Sequence, residues 1–314
     1  MKHIFLINPA AGKGKAADLI PQILQAVKGE SVDYEIHRTM NAYDAQKYVR
    51  ERCERDAEPM RFYACGGDGT VNEVVNGLYG FPQAEIAVVP VGSGNDFVRN
   101  FDNREAFLDI GRQLAGSASP VDVIRYELLD PDTGEEGRGV PRTGVALNMY
   151  NMGFDAQVAT KAGEIKGPVL KGSLAYFAGV GIILARMKPV TLSVRVDGQD
   201  LGEADYLLAG VANGRFSGGG FDGMPLANIR DGKMDVILVR NVTRRFFLSI
   251  VKKYHDGQHM DEPKLKGILY HYPCEEAEFI PATDMQMVID GEPARVGGVR
   301  FRVEPGSVML SVPV

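Results

Sequence analysis

The chain has 314 residues, 45% of them hydrophobic and 24% charged, which is enough for two domains and a sizeable core. A net charge of −6 excludes a general nucleic-acid binder, because such proteins carry a basic footprint. Three cysteines, Cys53, Cys65 and Cys274, show no metal-ligand spacing and point to reduced thiols in a cytoplasmic setting.

The apolar run at the start, MKHIFLINPA, is too short for a signal peptide and reads as a strand, Ile4 to Ile7. It ends in a turn, Asn8 to Lys15, and a helix follows with Leu19, Ile20, Ile23, Leu24 and Val27 on one face. Val32, Tyr34 and Ile36 alternate as a second strand ending at His37-Arg38-Thr39, after which Asn41 is placed to cap a charged helix to about Asp56. Arg61 to Cys65 read as a short buried strand broken by Gly66 and Gly67. Val71, Val74, Val75 and Leu78 then recur at i, i+3, i+4 and i+7, with Thr70 and Glu73 spaced as a capping box. Glu85 to Val89 form another strand, a third glycine turn runs from Pro90 to Asp96, and helical pattern resumes to about Ala115.

Strand, turn and helix repeated this way predict a doubly wound α/β domain with a parallel sheet. Its turns lie at the carboxyl ends of the strands, where open α/β sheets bind ligands. A glycine turn at a helix N-terminus presents backbone N–H groups to an anion and suits phosphate. Asp68 inside such a turn makes sense if a divalent cation bridges it to phosphate, or if it handles a proton.

After Pro120 the pattern turns to antiparallel strands: Val121–Leu129, Val145–Met152, Val190–Val196, Ala204–Ala212, Lys233–Val239 and Met285–Ile289. An exposed hairpin loop is expected over 131–137, and helical patches over 155–164 and 172–186. Residues 1–122 are thus expected to form the nucleotide-binding domain. Residues 123–304 should form a mostly antiparallel, β-sandwich-like domain, and the tail from about 305 to 314 could pack back on the first. The longest uncharged run, Gly172 to Ala185, falls short of a membrane span and reads as a buried helix or one at a lipid-facing mouth.

Gly12-x-Gly14-x-x-Ala17, with Asp33 or Glu35 downstream, satisfies a permissive dinucleotide fingerprint, but Asn8-Pro9 separates strand from glycine. A P-loop fails, because Lys15 is followed by Ala16. His255 and His259 are spaced i, i+4, yet Gly257 lies between them and no third ligand has motif spacing, so a solvated surface pair is expected. Arg244, Arg245, Lys252 and Lys253 bracket an apolar run, Phe246 to Val251, which reads either as a basic face for anionic lipid or as a helix packing on the second domain.

Gly66-Gly67-Asp68-Gly69-Thr70 resembles the superfamily of diacylglycerol, sphingosine and NAD kinases and phosphofructokinases. Asn72-Glu73 directly after it, and Gly92-Ser93-Gly94-Asn95-Asp96-Phe97, narrow the resemblance to bacterial diacylglycerol-kinase-type lipid kinases. Asn213-Gly214-Arg215-Phe216, Gly218-Gly219-Gly220, Asp231-Gly232 and Asp290-Gly291-Glu292 continue the match in order. Ser93 departs from the Thr of many relatives but keeps the hydroxyl.

The resemblance implies Mg-ATP-dependent phosphorylation of a lipid hydroxyl, with diacylglycerol the leading substrate and a transient visit to the membrane surface. By motif, Asn8, Pro9, Ala10, Ala11, Gly12, Thr39, Gly66, Gly67, Asp68, Gly69, Thr70, Val71, Asn72, Ser93, Gly94, Asn95 and Asp96 would contact nucleotide. Glu292 or Asp290 would take the hydroxyl proton, with Glu292 favoured, and Asp68 joins them in the catalytic set. Asn228, Asp231 and Lys233 match a structural Mg²⁺ site, Lys233 through its carbonyl because an ammonium cannot ligate. An NAD-kinase-like soluble-substrate kinase and a non-catalytic nucleotide-binding regulator stay open as alternatives, as does a homodimer.

Overall fold

Four parallel strands form one end of the main sheet: β1 (Lys2–Ile7), β2 (Asp33–Arg38), β3 (Met60–Gly66) and β4 (Ala84–Pro90), in the order β2-β1-β3-β4. The structure is a computed structural model that describes residues 1–28, 32–129, 141–153, 187–289 and 292–314. Four helices flank this sheet: α1 (Leu19–Lys28), α2 (Asp44–Arg55), α3 (Asp68–Leu78) and α4 (Ile110–Leu114). Because strand side chains alternate, Ile4, Leu6, Phe62, Ala64, Ile86 and Val88 share a core with residues of α2 and α3. Phe5, Ile7, Tyr63, Cys65, Ala87 and Val89 pack instead with Leu19, Ile23, Val27 and Ile110 of α1 and α4. Covering both faces is what a parallel sheet requires, and each Val, Leu, Ile or Phe so buried contributes roughly 1.5–3 kcal/mol.

Some local expectations change. The helix after the first turn begins as a 3₁₀ stretch, Ala11–Asp18, before α1. Asn41 does not cap α2, which starts at Asp44 with Tyr43 in the left-handed conformation at its N-cap, φ 65°. The helical pattern up to Ala115 breaks into 3₁₀ turns Phe97–Asn100 and Arg104–Leu108 and the short α4. Asp109 caps that last piece, its side chain accepting from Arg112 N at 3.1 Å.

The second half is built from β5 (Ser117–Leu128), β6 (Thr143–Ala146), β7 (Met149–Gly153), β8 (Val190–Val196) and β9 (Gln199–Ala212). There follow β10 (Phe216–Ser217), β11 (Phe221–Asp222), β12 (Met234–Arg240), β13 (Leu269–Cys274) and β14 (Glu276–Pro281). The last are β15 (Met285–Ile289), β16 (Glu292–Val296) and β17 (Val299–Val312). Apart from the β17–β4 contact, every pairing of these strands is antiparallel. Their core gathers Tyr150, Leu192, Val194, Val236, Phe279 and Phe301.

The two halves meet along a strand pair. β5 and β17 run antiparallel from Ser117 opposite Val312 to Leu128 opposite Val299, with one irregularity between Glu304 and Val308. Val121 and Val123 of β5 sit in the first core, while Ile124, Tyr126 and Leu128 sit in the second. At its far end β17 pairs in parallel with β4, Met309–Ser311 against Glu85–Ala87. The cores therefore change over inside β5.

The expected hairpin loop at 131–137, both helical patches and the uncharged run at 172–185 lie outside the described residues. No helix among the described residues is long and apolar enough to cross a membrane. Cys53, Cys65 and Cys274 are buried free thiols, and burial pushes Cys53 and Cys274 up to about 12.

Candidate active site

In the order β2-β1-β3-β4 the chain leaves β1 toward one edge and β3 toward the other, so the carboxyl ends of β1 and β3 form a topological switch point. The three glycine loops meet there. Asn8 N donates to Cys65 O at 3.1 Å, and Asn8 Nδ2 to Thr70 Oγ1 at 3.0 Å. Gly66 O accepts from Val91 N at 3.0 Å and Gly92 N at 3.1 Å. A Cβ on Gly92 would stand 2.3 Å from Gly67 Cα, so this approach admits no side chain. Thr39 joins from the end of β2, its N–H donating to Ile7 O at 2.9 Å. Ser93, Pro9 and Ala10 are exposed at the loop tips.

The capping box expected at α3 is not formed. The helix starts at Asp68, so the N-cap is Gly67, which has no side chain to cap with, and Thr70 lies inside the helix with its hydroxyl oxygen accepting from Asn8. Asp68, the first helical residue, turns its carboxylate to the third loop, where Oδ1 accepts from Asp96 N at 2.8 Å and Phe97 N at 3.2 Å. Burial pushes the Asp68 carboxyl above its ordinary value, against the pull of those N–H groups. Asp96 is buried and also raised, first by burial, with the Asp68 charge adding to it. Asp96 Oδ2 accepts from Gly219 N at 2.8 Å, and Oδ1 lies 3.2 Å from Arg99 Nε. Asp96 thus fastens the third loop to the Gly218–Gly220 turn, whose three residues all have positive φ. Half-buried Asp68 and buried Asp96 form a hard oxygen set, and a divalent cation would offset the charge that Asp68 imposes on Asp96.

Further hydrogen bonds cross the seam. Asn76 of α3 brackets Val145 of β6, donating to its carbonyl at 2.8 Å and accepting its N–H at 2.9 Å. Asn72 donates to the same carbonyl at 3.2 Å. Asn213 donates to Asp122 O and Leu147 O, both at 2.8 Å, and Arg215 N donates to Asn100 Oδ1 at 2.8 Å. The Asp122 carboxylate accepts from Gly232 N and Gly306 N, each at 2.8 Å.

Several sequence-derived site residues are spent elsewhere. Val71 is buried in the first core and its N–H donates to Gly67 O; the Asn72 amide serves the seam. Asn228 Oδ1 accepts from Arg230 N at 3.1 Å and Asp231 Oδ1 from Lys233 N at 3.0 Å, which is turn chemistry. No group of three His, Cys, Asp or Glu gathers for a metal among the described residues. Glu35, a candidate for ribose in the dinucleotide reading, is taken by Tyr48, Arg52 and Lys2. His259 is fully buried against Tyr254, not on the surface, and burial lowers its pKa.

Asp290 and Gly291 lie outside the described residues. The backbone of β16 starts at Glu292, opposite Ile289, and Ile289 pairs with Tyr150 on β7. That end of β7 leads back to Asn148, whose carbonyl accepts from Asn213 N at 2.8 Å. The turn end of the β15–β16 hairpin therefore stands at the sheet end that meets the first half.

Comparison with known proteins decides the family. Residues 2–126 match the model of the diacylglycerol kinase catalytic domain, and residues 148–312 that of the YegS C-terminal NAD kinase beta sandwich-like domain. The chain belongs to the family of diacylglycerol kinase and YegS-like lipid kinases. Within it, the chain is 28% identical to a "Probable lipid kinase YegS-like" of Alcanivorax borkumensis, over 96% of this chain and 94% of the relative. It is also 28% identical to a "Diacylglycerol kinase" of Staphylococcus haemolyticus, over 91% of this chain and 81% of that one. The lipid-kinase fold is shared with the crystal structure of a diacylglycerol kinase from Bacillus anthracis str. Sterne, at a TM-score of 0.69 and 20% identity, covering 98% of this chain and 96% of the other.

Sequence reasoning overlooked three residues that organise this site. Glu73 is spaced as a local cap of α3, but its carboxylate accepts from Tyr43 N, the N-cap of α2, at 3.0 Å and from Ala45 N at 3.1 Å. Asp122 is a charge flanked by Val121 and Val123 in a strand pattern, a signal for a buried anchor. Arg99 beside Asp96 carried no signal.

Proposed function

We propose that the protein transfers the γ-phosphoryl group of Mg-ATP to the hydroxyl of a lipid, most plainly diacylglycerol, giving phosphatidic acid. The observation that carries this reading is the meeting of three glycine loops at the switch point, with Asp68 and Asp96 tied across to Gly219. Loop N–H groups and the open first turn of α3 offer donors to phosphate. Asp68 and Asp96 would hold Mg²⁺, which neutralises charge on the transferring phosphoryl group. Asn228, Asp231 and the Lys233 carbonyl would hold a second, structural ion only by sharing the turn hydrogen bonds that Asn228 and Asp231 make here.

In the transfer, the hydroxyl proton passes to Glu292, with Asp290 as partner or alternative. The freed oxygen forms the new P–O bond as the bond to the ADP leaving group breaks. The protein works against a membrane surface in the cytoplasm, since its acceptor lives there.

The test is purified protein with Mg-ATP and micellar diacylglycerol. Labelled phosphatidic acid is expected. Product from NAD but not from any hydroxyl lipid would move the protein to the soluble-substrate branch, and tight ATP binding without product would make it a regulator.

A further inference from the structure

The segment from Arg240 to Lys266 carries seven Lys/Arg against three Asp/Glu, a net +4 in a chain whose total is −6. Its centre is α5 (Arg244–His255), capped by Thr243, whose side chain accepts from Phe246 N at 3.3 Å. The helix contains no acidic residue. Phe247, Ile250 and Tyr254 fill its buried face, Phe247 packing with Leu207 and Tyr254 with Met224. The opposite face recurs at i, i+3, i+4 and i+7 as Arg245, Leu248, Ser249 and Lys252, all exposed. Leu248, 50% exposed, stands one turn from each of two cations.

Lys252 is held by Asp256 and Lys253 by Glu262, whereas no described residue pairs with Arg245. An exposed pair such as Lys252–Asp256 contributes little and can be exchanged for another anion. Asp256, Asp261 and Glu262, the three acids of the segment, all follow the helix, leaving its length uniformly basic. An apolar side chain between cations complements a surface that is anionic at the top and apolar beneath.

We propose that the exposed face of α5 docks the protein on an anionic lipid bilayer, Arg245 and Lys252 meeting headgroup phosphates and Leu248 entering the boundary. This rests on the lipid-kinase reading above. The inner side of α5 reaches the site, for the Phe221 ring lies 4.7 Å from His255 and 6.1 Å from Tyr254. Phe221 directly follows the glycine turn that holds Asp96. Docking by α5 would therefore place that turn about one helix diameter, roughly 10 Å, from the lipid surface.

The experiment is sedimentation with phosphatidylcholine vesicles, with and without phosphatidylglycerol, alongside kinase assays on monomeric short-chain diacylglycerol. Wild type is expected to favour the anionic vesicles, and added salt to weaken the binding. R245Q/K252Q should lower that binding about 30-fold, and L248Q about tenfold. Both variants should keep wild-type melting and turnover on the monomeric substrate. The proposal is overturned if wild type ignores vesicle charge, or if both variants bind anionic vesicles as wild type does. Loss of vesicle binding in the variants, with no lipid phosphorylated by wild type, would keep the docking face and remove the kinase reading.

Discussion

The carboxylate of Asp68 accepts the backbone N–H of Asp96 at 2.8 Å, and the carboxylate of Asp96 in turn accepts that of Gly219 at 2.8 Å. Two acidic side chains thus link the helix at the switch point to the second half. Burial raises both carboxyls, and the Asp68 charge adds to the rise at Asp96, so the fold holds them charged at a cost.

Asp68→Asn keeps an acceptor for the two N–H groups while removing the charge. Its kcat should fall about 100-fold or more, with melting temperature unchanged or raised. A variant that retained most of its activity would reduce Asp68 to a loop anchor.

The raised carboxyls also set the acid side of the rate profile. A raised carboxyl contributes stability below its unfolded value that is lost as pH rises through the folded value, so protonation favours the fold while removing charge needed for phosphoryl transfer. The acid limb of kcat/KM, which reports the free enzyme, should therefore lie above the ordinary aspartate value of 3.8, at a pH where the protein is still folded by circular dichroism. An acid limb that tracked unfolding would contradict this.

Glu73 acts between helices. Glu73→Ala strips acceptors from two N–H groups at the start of α2, which should cost about 1–2 kcal/mol by denaturant titration. The Met40–Tyr43 loop next to Thr39 should loosen, so KM for ATP should rise more than kcat falls. Were Glu73 only a local cap of α3, KM would not move.

Asp122→Ala removes the acceptor shared by Gly232 N and Gly306 N. Charged hydrogen bonds of this kind are each worth roughly 1.5–3 kcal/mol, so a loss of about 3 kcal/mol is expected. The measurement is the shift in urea midpoint at constant slope.

Two histidines should make the fold sensitive to mild acid. Burial lowers His3 to about 4 and also lowers His259. A lowered histidine takes up its proton more readily when unfolded, so stability falls as pH drops below 6.5. His259→Phe should flatten that limb of the melting-temperature profile. An unchanged profile would show that His259 does not titrate on unfolding.

The sequence by itself determined the alternation of strands and helices in the first half, because apolar period alone separates them. It also determined which turns are glycine-rich and which family block follows which, down to Asp68 and Asp96. Local pattern could not say where a polar side chain finds its partner. Thr70 and Glu73 are spaced as a capping box, yet in the folded chain Asn8 claims the first and α2 the second. His255 and His259 look alike in sequence, and only packing against Tyr254 buries one of them. The tertiary structure alone decided that β5 and β17 join both cores and that Asp96 meets Gly219, partners 123 residues apart. The reason is physical: periodicity reports the face a residue shows, whereas a buried hydrogen bond depends on whichever distant backbone group the topology delivers beside it.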